Sequence, residues 1–288
     1  MKLGKINRES IALSAFTSIL NCYEKMPSEL YVAGKLPSER IPAVAIVGSR
    51  KPTKYGEATT YKLAYELAKS GVVIISGLAY GIDAIAHKAA LEANGKTIAV
   101  MASGLHTIYP TAHTALAEQI IKEGGAIISE QPLGFEAHKY HFLARNRLVS
   151  GLADAVIITE ATDRSGTFST VAHAISQNKE VFAVPGPITS LLSAGPNRLI
   201  QEGAHVVLST RDVLDIIAPQ LQKKQTALPL GSTPLEVEII KHIQAGETSG
   251  ETLQANLKAP VSDVLQALTM LELNGVIRPV GGNHWQLR

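Results

Sequence analysis

Seven short apolar runs punctuate the first three-quarters of the chain: AVAIV (43–47), VVIIS (72–76), TIAVM (97–101), AIIS (126–129), AVIIT (155–159), VFAV (181–184) and HVVL (205–208). Their hydrophobicity is nearly unbroken, not alternating, which is the pattern of strands covered on both faces. Helix-period segments such as YGEATTYKLAYELAKSG and HTALAEQIIKEGG lie between them, each closed by glycine, a preferred helix C-terminal residue. Strand, helix, strand in this rhythm predicts an α/β fold over residues 41–218, a doubly wound and mostly parallel sheet. The rhythm stops at PQLQKKQTALPLGSTP (219–234), which has no periodicity and predicts a linker over 219–233. Beyond it, LEVEIIKHIQ, SGETLQANL and PVSDVLQALTMLELNG predict three short helices, and VIRPVGGNHWQLR predicts a hairpin about a Gly-Gly turn. Three helices and a hairpin make a small C-terminal winged-helix domain over 234–288. Residues 1–40 follow neither rhythm. They are expected as a separate short helical or extended segment, with IALSAFTSIL as a short helix.

Composition narrows the class. The 288 residues are 45% hydrophobic and 18% charged, ordinary for a soluble globular protein. A single cysteine, Cys22, excludes an internal disulfide framework and points to a reducing compartment. No apolar run approaches the ~18 residues of a membrane helix. Lys2, Lys5 and Arg8 ahead of IALSAFTSIL faintly resemble a signal peptide, but Glu9 interrupts the flank and no A-x-A site follows. The expected location is cytoplasmic. The net charge of +2 is uneven. From Gly231 onward Lys241, Lys258, Arg278 and Arg288 face Glu236, Glu238, Glu247, Glu251, Asp263 and Glu272, so this piece is acidic by two and the remainder basic by four. A polyanion therefore belongs to the larger part, and a protein partner suits the acidic one.

Ligands of an open parallel sheet sit beyond the carboxyl ends of its strands. After the first strand come Gly48, Ser49 and Arg50: a residue that admits close backbone approach, a hydroxyl and a charged fork, ahead of a helix N-terminus. Ser76 and Gly77 form a second small turn, with Gly81 opening a helix, and Ser165, Gly166 and Thr167 begin another helix after the fifth strand. Tight packing alone accounts for any one such turn. Three along one edge point to an anion site. None has the G-x-G-x-x-G or G-x-x-x-x-G-K-[ST] spacing, which disfavours a dinucleotide cofactor and P-loop hydrolysis.

The segment AHKYHFLARNRLVSG places Lys139, Arg145 and Arg147 beside Tyr140 and Phe142. Charges for phosphates and flat rings for unstacked bases are what single-stranded nucleic acid requires. The alternative is a surface loop with solvated charges and a core phenylalanine. If Arg145 to Arg147 lie on a helix, their two forks need not face the same way. His138 and His141 have no cysteine or carboxylate cluster beside them, so no metal is expected. No G-x-S-x-G elbow is present. Asp83, near a helix start, suits an orienting or capping role, and Glu160 and Asp163 are the other carboxylates placed for chemistry.

In order along the chain, VAIVGSR…YG, SGLAYGIDAIAH, TIAVMASGLHTIYP, SEQPLG, FLARNRLVSGLADAVIITEA…SGT, VFAVPG and GPNRLIQEGA resemble the DNA-processing protein A family (DprA, also called Smf). The resemblance covers about two-thirds of the chain. It implies a Rossmann-like domain that binds single-stranded DNA, acts as a homodimer and loads RecA recombinase onto strands taken up in natural transformation, with no catalytic turnover and no cofactor. The family's phosphate-binding Gly-Ser-Arg falls on Gly48, Ser49 and Arg50. Its lysine and phenylalanine fall on Lys139 and Phe142, and its R-N-R on Arg145, Asn146 and Arg147. Three positions depart from the pattern. Leu143 and Ala144 follow Phe142 where Phe-Pro is usual, His113 replaces the asparagine of Y-P-x-x-N, and Pro196 precedes Asn197.

The rival is an enzyme. Rossmann-like nucleoside monophosphate phosphoribohydrolases share a late turn resembling P-G-G-x-G-T-x-x-E, whose glutamate takes part in chemistry. Here Thr170 of D-R-S-G-T-F-S-T stands in its place, and a threonine cannot take a proton near neutral pH as a carboxylate can.

Overall fold

The computed structural model describes residues 10–221, 233–257 and 259–287. The segment 222–232, most of the expected linker, and the signal-like residues 1–9 lie outside the described residues. The chain divides into two compact units, Met1–Gln222 and Lys223–Arg288.

In the first unit the elements run β1 (Ile11–Ala12), β2 (Glu29–Gly34), β3 (Ala43–Val47), α1 (Lys54–Lys69), β4 (Val73–Ser76), α2 (Ile82–Glu92), β5 (Thr97–Val100), α3 (Thr114–Lys122), β6 (Ala126–Ser129), α4 (Lys139–Leu152), β7 (Ala155–Ile158), α5 (Thr167–Ser176), β8 (Glu180–Ala183), α6 (Ala194–Gln201), β9 (His205–Val206) and α7 (Thr210–Ile217). They build one sheet in the order β1-β2-β6-β5-β4-β3-β7-β8-β9. From β6 to β9 every pairing is parallel, and β2 joins β6 antiparallel. Each of the seven runs read from the sequence coincides with one of the parallel strands, β8 beginning one residue earlier at Glu180.

The unbroken hydrophobicity follows from two-sided burial. Ala43, Ala45 and Val47 of β3 enter one core with Leu148, Val149 and Leu152 of α4 and Val171 of α5. Val44 and Ile46 enter the opposite core with Leu63 and Leu67 of α1 and Ala86 of α2. The chain winds outward from β3 through β4, β5 and β6, then returns to β7 on the other flank of β3. The β3/β7 junction is therefore the switch point of the sheet, where loops diverge and leave a crevice.

The N-terminal segment differs from expectation. Residues 29–34 extend the sheet, and Phe16 and Leu20 are fully buried in the core shared with α4. The stretch IALSAFTSIL is not one helix: a two-residue strand and a turn precede a short 3-10 helix, Ser18–Cys22. The physical reason is twofold. Without β2 the edge of β6 would present unpaired backbone groups, and Phe16, Leu20, Leu30 and Val32 supply apolar cover for that face. Arg40 secures the return to β3 through its ion pair with Asp154 (2.5 Å), whose other oxygen accepts from the Ala43 amide.

The second unit is a winged helix: α8 (Pro234–Gln244), α9 (Gly250–Asn256), α10 (Val261–Leu273) and the hairpin β10 (Ile277–Gly281) and β11 (His284–Leu287). Thr233 and Glu236 cap α8 reciprocally, with Pro234 in the first turn. Ile239, Ile243, Leu253, Val264, Leu268 and Leu271 fill its core. No helix among the described residues is long and apolar enough to cross a membrane.

One buried group makes the first unit sensitive to acid. Thr97 donates its hydroxyl proton to the Ile74 carbonyl (2.8 Å) and so accepts from His87 Nδ1 (2.7 Å), leaving Nε2 unprotonated and without a partner. Burial, with smaller contributions from the His113 and Arg145 charges, lowers the His87 pKa to about 3. An unfolded histidine titrates near 6.5, so between that pH and about 3 the unfolded chain binds the extra proton and stability falls as pH falls. Urea unfolding between pH 7 and pH 4 should show the parent losing up to ~1.4 kcal/mol per pH unit more than a His87→Gln variant. Equal acid sensitivity of the two would contradict this assignment.

Candidate functional site

A cleft of about 740 Å³ opens at the switch point, within the usual range of ligand sites. Four sheet-edge loops and the first turns of α4 line it: Gly48 and Arg50 after β3, Ala79 after β4, Tyr109 after β5, Lys139, Phe142, Arg145 and Asn146 on α4, and Ser165, Gly166 and Thr167 after β7. Nine of the thirteen site residues expected from the sequence thus converge here. Ser49, Ser76, Gly77 and Arg147 do not line it.

The loop after β3 is shaped by contact. A Cβ on Gly48 would lie 2.7 Å from the Glu160 carbonyl oxygen and 2.8 Å from Ile82 Cγ1, so only glycine lets β3, β7 and α2 meet there. The Ser49 amide donates to that same Glu160 carbonyl (2.7 Å), and its hydroxyl accepts from the Lys51 amide (3.1 Å). Ser49 therefore forms the turn, and Arg50 is left exposed beyond it. Glu160, one of the carboxylates considered for chemistry, accepts from the amide (2.8 Å) and hydroxyl (2.5 Å) of Thr53 and so fixes the start of α1.

The loop after β4 is held at every residue from Gly77 to Gly81. The Ser76 hydroxyl turns inward to the Ile46 carbonyl (2.7 Å). Asp83 accepts from the amides of Gly77 (3.0 Å) and Ala79 (3.3 Å), and His113 donates through Nδ1 to the Leu78 carbonyl (2.8 Å). Gly81, at φ +74°, packs against the Ser49 carbonyl, where a Cβ would clash. Ser76 and Gly77, expected at an anion site, are thus parts of the cleft's frame: the Ile46 carbonyl takes the Ser76 hydroxyl, and the Asp83 and Arg145 side chains take the Gly77 amide and carbonyl.

On α4, Arg145 and Arg147 lie two residues apart, about 200° around the helix axis. They point in different directions. Arg147 leaves the cleft for Glu130, 2.5 Å away, and touches the Met26 sulfur (3.6 Å). Arg145 is 6% exposed and turns under the cleft, donating to the carbonyls of Gly77 (2.8 Å) and Val100, with Asp83 as its opposite charge. Burial lowers the guanidinium pKa to about 10 and raises that of the Asp83 carboxyl, and each charge offsets the other's shift. Arg145 stays cationic at neutral pH. Asn146 bridges to α5 through the Ser169 hydroxyl (2.7 Å).

With Arg145 and Asp83 balancing each other, the free charge of the cleft is Arg50 and Lys139, both exposed and neither in an ion pair among the described residues. Phe142 is half-buried, and its ring lies 5.2 Å from that of Tyr109. Opposite them Ser165 folds back on Thr167 (hydroxyl to hydroxyl 2.9 Å) at the N-terminus of α5. Tyr140 lies outside the lining, packed on His141 with ring centroids 3.8 Å apart. Tyr109, His138, Leu143 and Thr170 are lining residues that sequence reasoning missed. The signal for Tyr109 was available, since it follows the third strand at the same sheet edge. No group of histidines, cysteines and carboxylates suited to a metal occurs among the described residues.

Comparison with known proteins shows the family. The family model described as DNA recombination-mediator protein A matches residues 10–218, and that of the DprA winged helix domain matches 223–283. Protein Smf of Escherichia coli K12 is 38% identical over 276 residues, 91% of this chain and 72% of Smf. The DNA processing protein DprA of Streptococcus pneumoniae is 41% identical over 216 residues, 73% of this chain and 76% of that protein. A crystal structure of the pneumococcal protein superposes with a TM-score of 0.68 at 40% identity, covering 75% of each chain. DNA processing protein A of Helicobacter pylori, solved to describe that protein's single-stranded DNA binding mode, gives 0.65 at 34% identity over 75% of this chain and 97% of that one. The matched model spans the sheet and the cleft alike, and the chain belongs to the DNA recombination-mediator protein A family.

Proposed function

We propose that this chain binds single-stranded DNA without regard to sequence and, as a cytoplasmic homodimer, passes the strand to a RecA-type recombinase during natural transformation or related recombination. The observation that carries the binding step is the pairing of two unneutralised cations, Arg50 and Lys139, with the Phe142 ring in one cleft at the sheet switch point. The recombinase, the dimer and the pathway rest on family membership.

Phosphates lie against Arg50 and Lys139 and at the helix N-terminus formed by Ser165, Gly166 and Thr167, where the helix dipole favours an anion. Gly48 lets the strand approach the backbone. Phe142 stacks on an unpaired base. These contacts are sequence-blind, because every nucleotide has a phosphate and every base a flat face. A duplex offers no free base face. Arg145, Asn146, Ser49, Ser76 and Gly77 position this surface, and Arg147 braces α4 from outside it.

The phosphoribohydrolase alternative lacks its chemical group. Thr170 lines the cleft where a glutamate would be needed. Asp83 is the only carboxylate among the lining residues, and it is occupied by two amides and faces Arg145.

Fluorescence anisotropy with a labelled single strand and its duplex should show preference for the single strand. Arg50→Ala and Lys139→Ala should each weaken binding and lower the slope of log affinity against log salt by about 0.7, one single-strand phosphate contact apiece. Equal, weak binding of both DNA forms, unchanged by Arg50→Ala, would sink the proposal. Arg147→Ala should leave DNA affinity within about twofold while costing ~1–3 kcal/mol of stability, because Glu130 loses its partner at a mostly buried site. Arg145→Ala should cost ~3–5 kcal/mol by leaving Asp83 uncompensated, seen as a lowered Tm without DNA.

A further inference from the structure

We propose that Tyr109 is a second base-stacking residue of the cleft, so that the site holds two successive unstacked bases, one on Phe142 and one on Tyr109. This rests on the single-strand reading above and adds to it a count of bases and a residue that neither the sequence motifs nor the family resemblance assigned.

The two rings are 5.2 Å apart between centroids, with planes inclined by 50°. That arrangement cannot sandwich one base. A sandwich needs parallel rings about 7 Å apart, twice the roughly 3.4 Å stacking rise of nucleic acid. The rings instead pack against each other at an incline, which suits a wedge with a base on either side. Tyr109 is 54% exposed and lines the cleft, so its free surface faces the space a strand would enter.

The wedge is held in place. Ile108 and Pro110, on either side of Tyr109, are both buried and anchor its backbone to the body of the unit. Phe142 belongs to the first turn of α4. Three residues on, Arg145 ties that helix to the carbonyl of Val100, the last residue of the strand that leads into the Tyr109 loop. One buried side chain thereby links the helix that carries one ring to the strand that precedes the other. Such preformed rings avoid the cost of ordering side chains when the strand binds.

The consequence is that the cleft senses whether bases are present, apart from the phosphates. The test compares a twelve-nucleotide thymidine strand with a twelve-unit strand of stable abasic sugar phosphate, by competition anisotropy at one salt concentration. The parent should prefer the thymidine strand. Tyr109→Leu should shrink that preference at least about fivefold, the lower range for one lost stacking contact, while affinity for the abasic strand stays within about twofold. Tyr109→Phe should keep the preference. Equal weakening of both strands by Tyr109→Leu, or no change in either, overturns the proposal. Failure of the parent to prefer single strand over duplex defeats the underlying reading first, and is recognised before any variant is made. Should Tyr109→Leu fold poorly, irradiation of the parent with a strand containing 5-iodouracil decides the matter. Adducts at both Phe142 and Tyr109 support the wedge, and adducts at Phe142 alone overturn it.

Discussion

Arg145 carries a full positive charge beneath the edge of the sheet, and the geometry of the cleft follows from where that charge is satisfied. Its fork reaches the Gly77 carbonyl just past β4 and the Val100 carbonyl that ends β5, and Asp83 answers it electrostatically while gripping two amides of the loop after β4. A cation so deeply placed is stable only with its partners in position. The requirement links helix α4, two strand ends and the start of α2 into one rigid assembly. The loops that bear Arg50, Tyr109 and the residues after β4 are then fixed relative to Lys139 and Phe142.

This arrangement separates framework from contact. The framework uses groups that look functional in isolation: two serines, a glycine, an arginine and two carboxylates whose polar atoms are taken by neighbouring groups of the fold. The contact surface we propose is smaller and plainer, with two solvated cations, two rings and a helix N-terminus. A surface of that composition reads features shared by all strands and none that identifies a sequence. Rigidity matters because weak, nonspecific contacts gain affinity mainly by being preorganised.

The winged helix is a separate chemical proposition. Its excess of acids opposes phosphate contact, and its helix α10 exposes Val261, Leu265 and Leu273 with no lysine or arginine along its length. Such a face is suited to a protein partner and ill suited to a DNA groove, in agreement with the charge division between the two parts of the chain.

Continuous apolar runs determined the parallel strands β3 to β8, because two-sided burial leaves few polar positions to alternate, whereas the edge strand β9 is exposed. Glycine-closed helices between them determined the doubly wound order, and the small-residue turns marked the functional edge. Other features depended on tertiary structure. The sequence presents Arg145 and Arg147 as equivalent members of R-N-R, yet helical rotation sends one beneath the cleft and the other to Glu130, and no local pattern reveals which. Ser76 and Ser165 are both serines between a strand and the helix that follows it. Only the proximity of the Ile46 carbonyl to one of them turns its hydroxyl inward. Residues 10–40 carry no rhythm of their own because their order comes from outside, from the open edge of β6 and the uncovered face of the sheet. Tyr109 and Phe142 are 33 positions apart in the sequence. Their rings meet where a buried arginine ties α4 to the end of β5, and a long-range contact of that kind leaves no local trace in the residues it joins.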